Sequence, residues 1–62
     1  MDIDDATLDA MERYGGSFAT QLAVLYRLAD PQHRATLARA FAVLFAEYAG
    51  LAALAAARDR TR

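Results

Sequence analysis

A long apolar repeat in the second half of the chain is the feature that most constrains its fold. Large apolar residues recur there at alternating spacings of four and three positions, which is the period of one face of an α-helix. Asp30-Pro31 precedes the repeat and is typical of a helix cap followed by proline at the first helical position. The pattern therefore predicts one long helix over residues 31–57. The repeat consists of Leu37, Phe41, Leu44, Tyr48, Leu51 and Ala55.

A second face of this predicted helix is almost flat. At 100° per residue, a set of alanines and one phenylalanine lies beside the large apolar repeat, while Val43, Gly50 and Leu54 fall on a third, exposed side. Small side chains let two helix backbones approach to about 8 Å. We therefore expect this face to be the self-association surface of a homodimer. Its members are Ala38, Ala42, Phe45, Ala46, Ala49, Ala52, Ala53 and Ala56.

Two shorter helices are predicted before Asp30, over residues 5–14 and 18–29. Asp4 is a suitable N-cap for the first and Ser17 for the second. Gly15 stands where a left-handed residue often ends a helix, so we expect a positive φ at Gly15 or Gly16. The apolar face of the second helix consists of Phe18, Leu22, Leu25 and Ala29.

These lengths predict a single all-α domain over residues 1–62. The first two helices together nearly match the third in length, so they are expected to form a kinked arm that lies antiparallel to it. A two-layer hairpin of this kind encloses little core, and pairing with a second copy would give a dimeric helical bundle.

The size and composition of the chain also favour a second copy. A chain of 62 residues buries only about 60% of the surface that it exposes when unfolded, and such chains usually gain stability from disulfides, a metal or another subunit. There is no cysteine, and a single histidine, His33, cannot form a histidine-rich metal site. We therefore expect no metal and no cofactor.

The charge is balanced overall but polarised along the chain. The net charge is −1, with acidic residues near the start and Arg58, Arg60 and Arg62 at the end. We expect Asp2–Asp5 to lie near Arg58–Arg62, within one subunit or across the dimer. The three arginines are also candidate contacts for a partner, including a nucleic acid, although the net charge disfavours nucleic acid. The acidic first residues do not resemble a signal peptide, and a cytoplasmic location is expected.

Two motifs resemble catalytic or ligand-binding sites. Gly15-Gly16-Ser17 resembles a phosphate loop, but no predicted strand precedes it and the chain has no lysine, so a bend is favoured. His33 is within reach of Asp30, but no nucleophile accompanies the pair, which suggests a helix cap. An enzymatic function is therefore not expected.

A membrane-spanning helix is the third reading of residues 40–57. This segment is long, contains one charged residue and has small residues at Ala42, Ala46 and Gly50. Alanine partitions weakly into lipid, however, and Glu47 near the middle would cost several kcal/mol. Membrane insertion is disfavoured.

The run Met11–Phe18, which contains Tyr-Gly-Gly-Ser-Phe, resembles a group of small helical proteins encoded by phages and prophages. The resemblance continues through Leu22-Ala23, Ala29-Asp30 and Glu47-Tyr48, covers about residues 11–49, and weakens after Ala40, where alanines are frequent. It implies an accessory protein that binds a host macromolecule, for example an inhibitor of a host defence system such as an anti-CRISPR protein. A small helical DNA-binding regulator that uses the arginine-rich tail is the alternative.

Overall fold

The described residues form four α-helices, and the predicted all-α class is confirmed. The computed structural model describes the backbone of residues 3–60 and the side chains of residues 3–58. The chain runs in order through α1 (Asp5–Tyr14), α2 (Ser17–Leu28), α3 (Pro31–Ala40) and α4 (Ala42–Arg60). Helix α1 packs against both α2 and α4. Helix α3 links the end of α2 to the start of α4 and contacts both of them.

The first two helices form a hairpin and not a kinked arm. The backbone N–H of Ile3, just before α1, donates a hydrogen bond to Tyr26 Oη near the end of α2, at 3.4 Å. The chain therefore reverses fully at the two residues between the helices. Gly15 and Gly16 make this reversal in extended conformations, with φ of −81° and −75°. The prediction of a positive φ at one of them is wrong.

Gly15 is needed for space at this corner. A Cβ atom on Gly15 would lie within about 3 Å of Ala19 Cβ, the Met11 carbonyl oxygen and Tyr48 Oη, whereas a Cβ on Gly16 would meet nothing within 4 Å. The corner is therefore a point of close approach between α1, α2 and α4. The cap of α2 is Gly16, which has no side chain to accept a hydrogen bond, and Ser17 is the first helical residue instead of the predicted cap.

Two aspartates cap helices as the sequence predicts. Asp4 Oδ1 accepts hydrogen bonds from the Thr7 backbone N–H at 2.9 Å and from Thr7 Oγ1 at 2.6 Å. Asp30 Oδ1 accepts one from the His33 backbone N–H at 2.8 Å, and Pro31 follows at the first helical position. These hydrogen bonds favour the ionised carboxylates. They lower the pKa of Asp4, chiefly through the Thr7 side chain, and that of Asp30, chiefly through the His33 backbone.

The predicted long helix over residues 31–57 is broken at Phe41, and this part of the prediction is wrong. Phe41 has φ −118° and ψ 32°, and the axes of α3 and α4 differ by 92°. No proline or glycine causes the break. Phe41 packs its ring against Phe18, with centroids 5.7 Å apart, and the turn directs Phe45 into the interior. Tertiary packing therefore overrides the helical periodicity at this residue.

Phe45 and Met11 are the largest fully buried side chains of the core. The ring of Tyr26 packs edge-to-face against Phe45, with centroids 5.5 Å apart. Most of the large apolar repeat lies only partly buried around this centre. The buried cluster consists of Leu8, Met11, Ala19, Leu22, Ala23, Tyr26 and Phe45.

We expect Gly15→Ala to destabilise the protein by about 1–3 kcal/mol, because the added methyl group overpacks the corner between three helices. The matched variant Gly16→Ala is expected to change stability by less than about 1 kcal/mol, since its backbone angles suit alanine and its surroundings are open. Urea denaturation followed by circular dichroism measures both. Equal effects of the two substitutions would contradict the packing role of Gly15.

Stability should fall as the solution is acidified below about pH 4, the ordinary range of an aspartate. Because the folded state lowers the pKa of Asp4 and Asp30, the unfolded chain binds protons more readily, and their contribution is lost as pH falls through the lowered values. The double variant Asp4→Asn/Asp30→Asn keeps both capping oxygens without titrating. Its urea midpoint should depend less on pH in this range than that of the wild type, and parallel curves would contradict the prediction.

Candidate interaction surfaces

Eight large apolar side chains are exposed among the described residues. Three lie on α4, one ends α1, and four lie on α2, where Leu25 and Leu28 border α3. The large apolar side chains that are exposed in the described residues are Tyr14, Phe18, Val24, Leu25, Leu28, Val43, Leu51 and Leu54. Where such side chains form a contiguous patch, the patch is typical of an interaction surface.

The outer face of α4 is the side turned away from the core. It is defined here by Val43, Ala46, Gly50, Ala53, Leu54 and Ala57, which are all exposed. Its two large side chains, Val43 and Leu54, are 75% and 59% exposed. Glu47, at the edge of this face, is the only charged residue between positions 42 and 57. Nothing in the described part of the chain covers this face.

The predicted self-association face is only partly accessible. Phe45 is 1% exposed and Ala38 is 8% exposed, so both belong to the interior of a single chain. Ala52 is half-buried, and the exposed remainder consists of Ala42, Ala46, Ala49, Ala53 and Ala56. The break at Phe41 prevents one face from running along both α3 and α4. The accessible surface is consequently centred on Gly50, on the side that carries Val43 and Leu54.

A second apolar surface is a groove of about 290 Å³ between α2 and α3. Leu25 and Leu28 are 52% and 79% exposed on one side of it, and Leu37 is half-buried. The predicted apolar face of α2 is therefore only half right, since Leu22 is buried but Phe18 and Leu25 are exposed. We call this surface the α2–α3 groove. It is lined by Leu25, Leu28, Ala29, His33, Thr36 and Leu37.

Arg27 gathers three carboxylates on the opposite side of α2. Its guanidinium lies 3.3 Å from Asp5, 3.0 Å from Asp9 and 3.2 Å from Glu12, so it joins α2 to the acidic side of α1. The hydrogen bond to Glu12 is the main cause that raises the pKa of Arg27, and the charges of all three carboxylates add to it. Sequence reasoning missed this cluster, because its partners are far apart in the chain.

The predicted meeting of the two termini does not occur among the described residues. Asp5 opens α1 and pairs with Arg27. Arg58 lines a shallow cleft with Tyr14, Leu51 and Leu54, at the other end of α1. Asp2, Arg62 and the side chain of Arg60 lie outside the described part of the structure.

Arg34 also makes contacts within the fold. Its Nε donates a hydrogen bond to the Tyr26 carbonyl at 3.1 Å, and its Nη2 donates one to the Arg27 carbonyl at 3.1 Å. The guanidinium lies over the Tyr26 ring, 5.3 Å from its centroid. These contacts add hydrogen bonds to carbonyl groups at the C-terminal end of α2, where the Tyr26 carbonyl also accepts one from the Ala29 backbone N–H at 3.2 Å. Arg27 and Arg34 therefore both stabilise the fold.

The two motifs that resembled ligand-binding or catalytic sites have local partners. Gly15 donates its backbone N–H to the Met11 carbonyl at 3.0 Å, which closes α1. His33 Nδ1 lies 2.9 Å from Asp30 Oδ1 in an exposed cap. Among the described residues, no group of three or more His, Asp or Glu side chains is arranged to hold a metal ion.

Among the described residues, each helix taken singly is too short or too polar to cross a membrane. Helices α3 and α4 together have the length and hydropathy of a span, but they are bent by 92°.

No protein family, curated protein or solved structure matches this chain.

We expect Arg27→Met to lower the thermal midpoint at low salt, because the three carboxylates lose their shared counter-charge while the aliphatic part of the side chain is kept. The matched variant Arg13→Met removes an exposed arginine from the last turn of α1 and should change the midpoint less. The difference between the variants should shrink at about 1 M salt, where surface charges are screened. A difference that is independent of salt would contradict an electrostatic role.

Proposed function

We propose that this chain is a small helical accessory protein that binds another protein through the α2–α3 groove and self-associates through the outer face of α4. The proposal rests chiefly on one observation, the exposure of large apolar side chains on these two surfaces. Binding to another macromolecule is the function that these two exposed surfaces support best.

The α2–α3 groove suits apolar anchors from a partner protein. Leu25 and Leu28 stand beside a floor that includes Leu37 and Ala29. The Thr36 hydroxyl donates to the Gln32 carbonyl at 3.2 Å, so its proton is used within α3. The exposed Asp30–His33 cap supplies a polar rim. An apolar centre with a polar edge is the usual anatomy of a protein interface, and a helix that presents leucine or aromatic side chains would fit it.

The resemblance of residues 11–49 to small phage and prophage proteins supports a host macromolecule as the partner. Inhibition of a host defence system, as anti-CRISPR proteins perform it, is one form that this binding could take. The DNA-binding alternative has less support, since Arg27 and Arg34 are engaged within the fold and the net charge is −1.

The groove predicts that Leu28→Asp will reduce capture of the partner at least about tenfold, because a charge would replace an exposed apolar anchor. The experiment compares tagged wild type and variant as baits in bacterial lysate, with and without nuclease treatment, by quantitative mass spectrometry. Val24→Asp is the matched control, because Val24 is exposed on α2 but does not line the groove. Leu28 is 79% exposed, so its substitution should leave the fold intact.

Three outcomes would contradict this function. A protein captured equally by all three baits does not use the groove. Capture that disappears after nuclease treatment and falls steeply with salt would indicate the DNA-binding alternative. Loss of capture with both aspartate variants would indicate a general effect of negative charge on α2.

A further inference from the structure

We propose that a second copy of this chain covers the outer face of α4 in an antiparallel orientation, with Glu47 of each copy facing Arg58 of the other. This inference rests on the proposed self-association and specifies its geometry. The two copies would be related by a two-fold axis that crosses α4 between Gly50 and Ala53.

The shape of the outer face supports a helix as its occupant. Ala46, Gly50, Ala53 and Ala57 follow one another at spacings of four, three and four residues, so they form a continuous line along an α-helix. In an antiparallel pair centred between Gly50 and Ala53, Ala46 of one copy lies opposite Ala57 of the other. Small residues then meet throughout, and the backbones can approach to about 8 Å.

Val43 and Leu54 supply the apolar area that small residues lack. Both project from the same outer face and are mostly exposed in the single chain. At close backbone approach, each of them packs over the partner helix beside its small residues.

The charges on α4 select the orientation. Glu47 and Arg58 are eleven residues apart, just over three helical turns, so they lie on the same flank of the outer face. When two identical helices pair antiparallel, equal flanks face each other, whereas in a parallel pair each flank faces the opposite one. Only the antiparallel pair therefore brings Glu47 opposite Arg58.

The spacing of these two residues fits the proposed axis. Glu47 and Arg58 lie at nearly equal distances on either side of the Gly50–Ala53 midpoint, with a mismatch of two residues, or about 3 Å along the helix. An arginine side chain spans that offset, and its guanidinium has five donors for contacts in both copies. Two equivalent ion pairs form by symmetry. Antiparallel helix dipoles favour the same orientation.

Disulfide trapping tests the orientation directly, because the chain has no cysteine of its own. Ala46→Cys and Ala57→Cys are made separately, mixed in equal amounts and oxidised, and the products are identified by intact mass. The antiparallel dimer should give the mixed disulfide at least about tenfold above either homodisulfide. Ala35→Cys is the control, since Ala35 is exposed on α3 and away from this face.

Charge reversal tests the contact between Glu47 and Arg58. Glu47→Arg and Arg58→Glu should each raise the dimer dissociation constant about three- to tenfold at low salt, since both symmetry-related pairs become repulsive. The double variant Glu47→Arg/Arg58→Glu should restore the wild-type value. Sedimentation equilibrium gives the constants, and circular dichroism checks that each variant is folded.

The outcomes separate the orientation from self-association itself. A wild-type chain that stays monomeric at high micromolar concentration overturns both. A dimer that yields mainly homodisulfides overturns the antiparallel arrangement and leaves self-association standing. A double charge variant that remains as weak as the single ones overturns the Glu47–Arg58 contact.

Discussion

Burial of the Phe45 ring is the constraint on which the rest of this fold depends. With few large side chains to bury, the chain places Phe45 against Tyr26 and within the same cluster as Met11. To deliver it there, α4 must cross onto α1, and the polypeptide must turn sharply at Phe41. The same placement determines which side of α4 faces outward. The burial of Phe45 therefore determines both the composition of the core and the apolar face that α4 exposes.

Local sequence signals predicted the starts of two helices and the bounds of α1. The caps at Asp4 and Asp30, the proline at position 31 and the bounds of α1 follow from side-chain chemistry within one turn. The break at Phe41 was beyond such reasoning, because it arises from contacts with Phe18 and the core. Gly15 was identified as special for the wrong physical reason. It is required by crowding, which only the assembled corner reveals.

The exposed surfaces, like the helices, were predicted only where a local pattern determines them. Helical spacing alone indicated that alanines on α4 would be accessible, and several of them are. The same spacing could not predict that Phe45 would point inward. This segment is apolar on all sides, so the apolar pattern does not distinguish the buried side of the helix from the exposed one. The α2–α3 groove was missed because a leucine at the right spacing is normally counted as core. In the Arg27 cluster, the carboxylates lie 15 to 22 positions before the arginine in the chain, so a local sequence pattern does not predict it.

The central position of α1 has a consequence for synthesis of the chain. Helix α1 packs against α4 and is synthesised before it, so the α1–α2 hairpin lacks this neighbour until α4 has been made. During that interval Leu8 and Met11 lack the Phe45 ring of their cluster, because Phe45 belongs to α4. Completion of the core therefore waits for α4, although each helix is formed by local contacts. A chain that ends before α4 lacks Phe45, and the apolar residues that pack with Phe45 in the core are left more exposed.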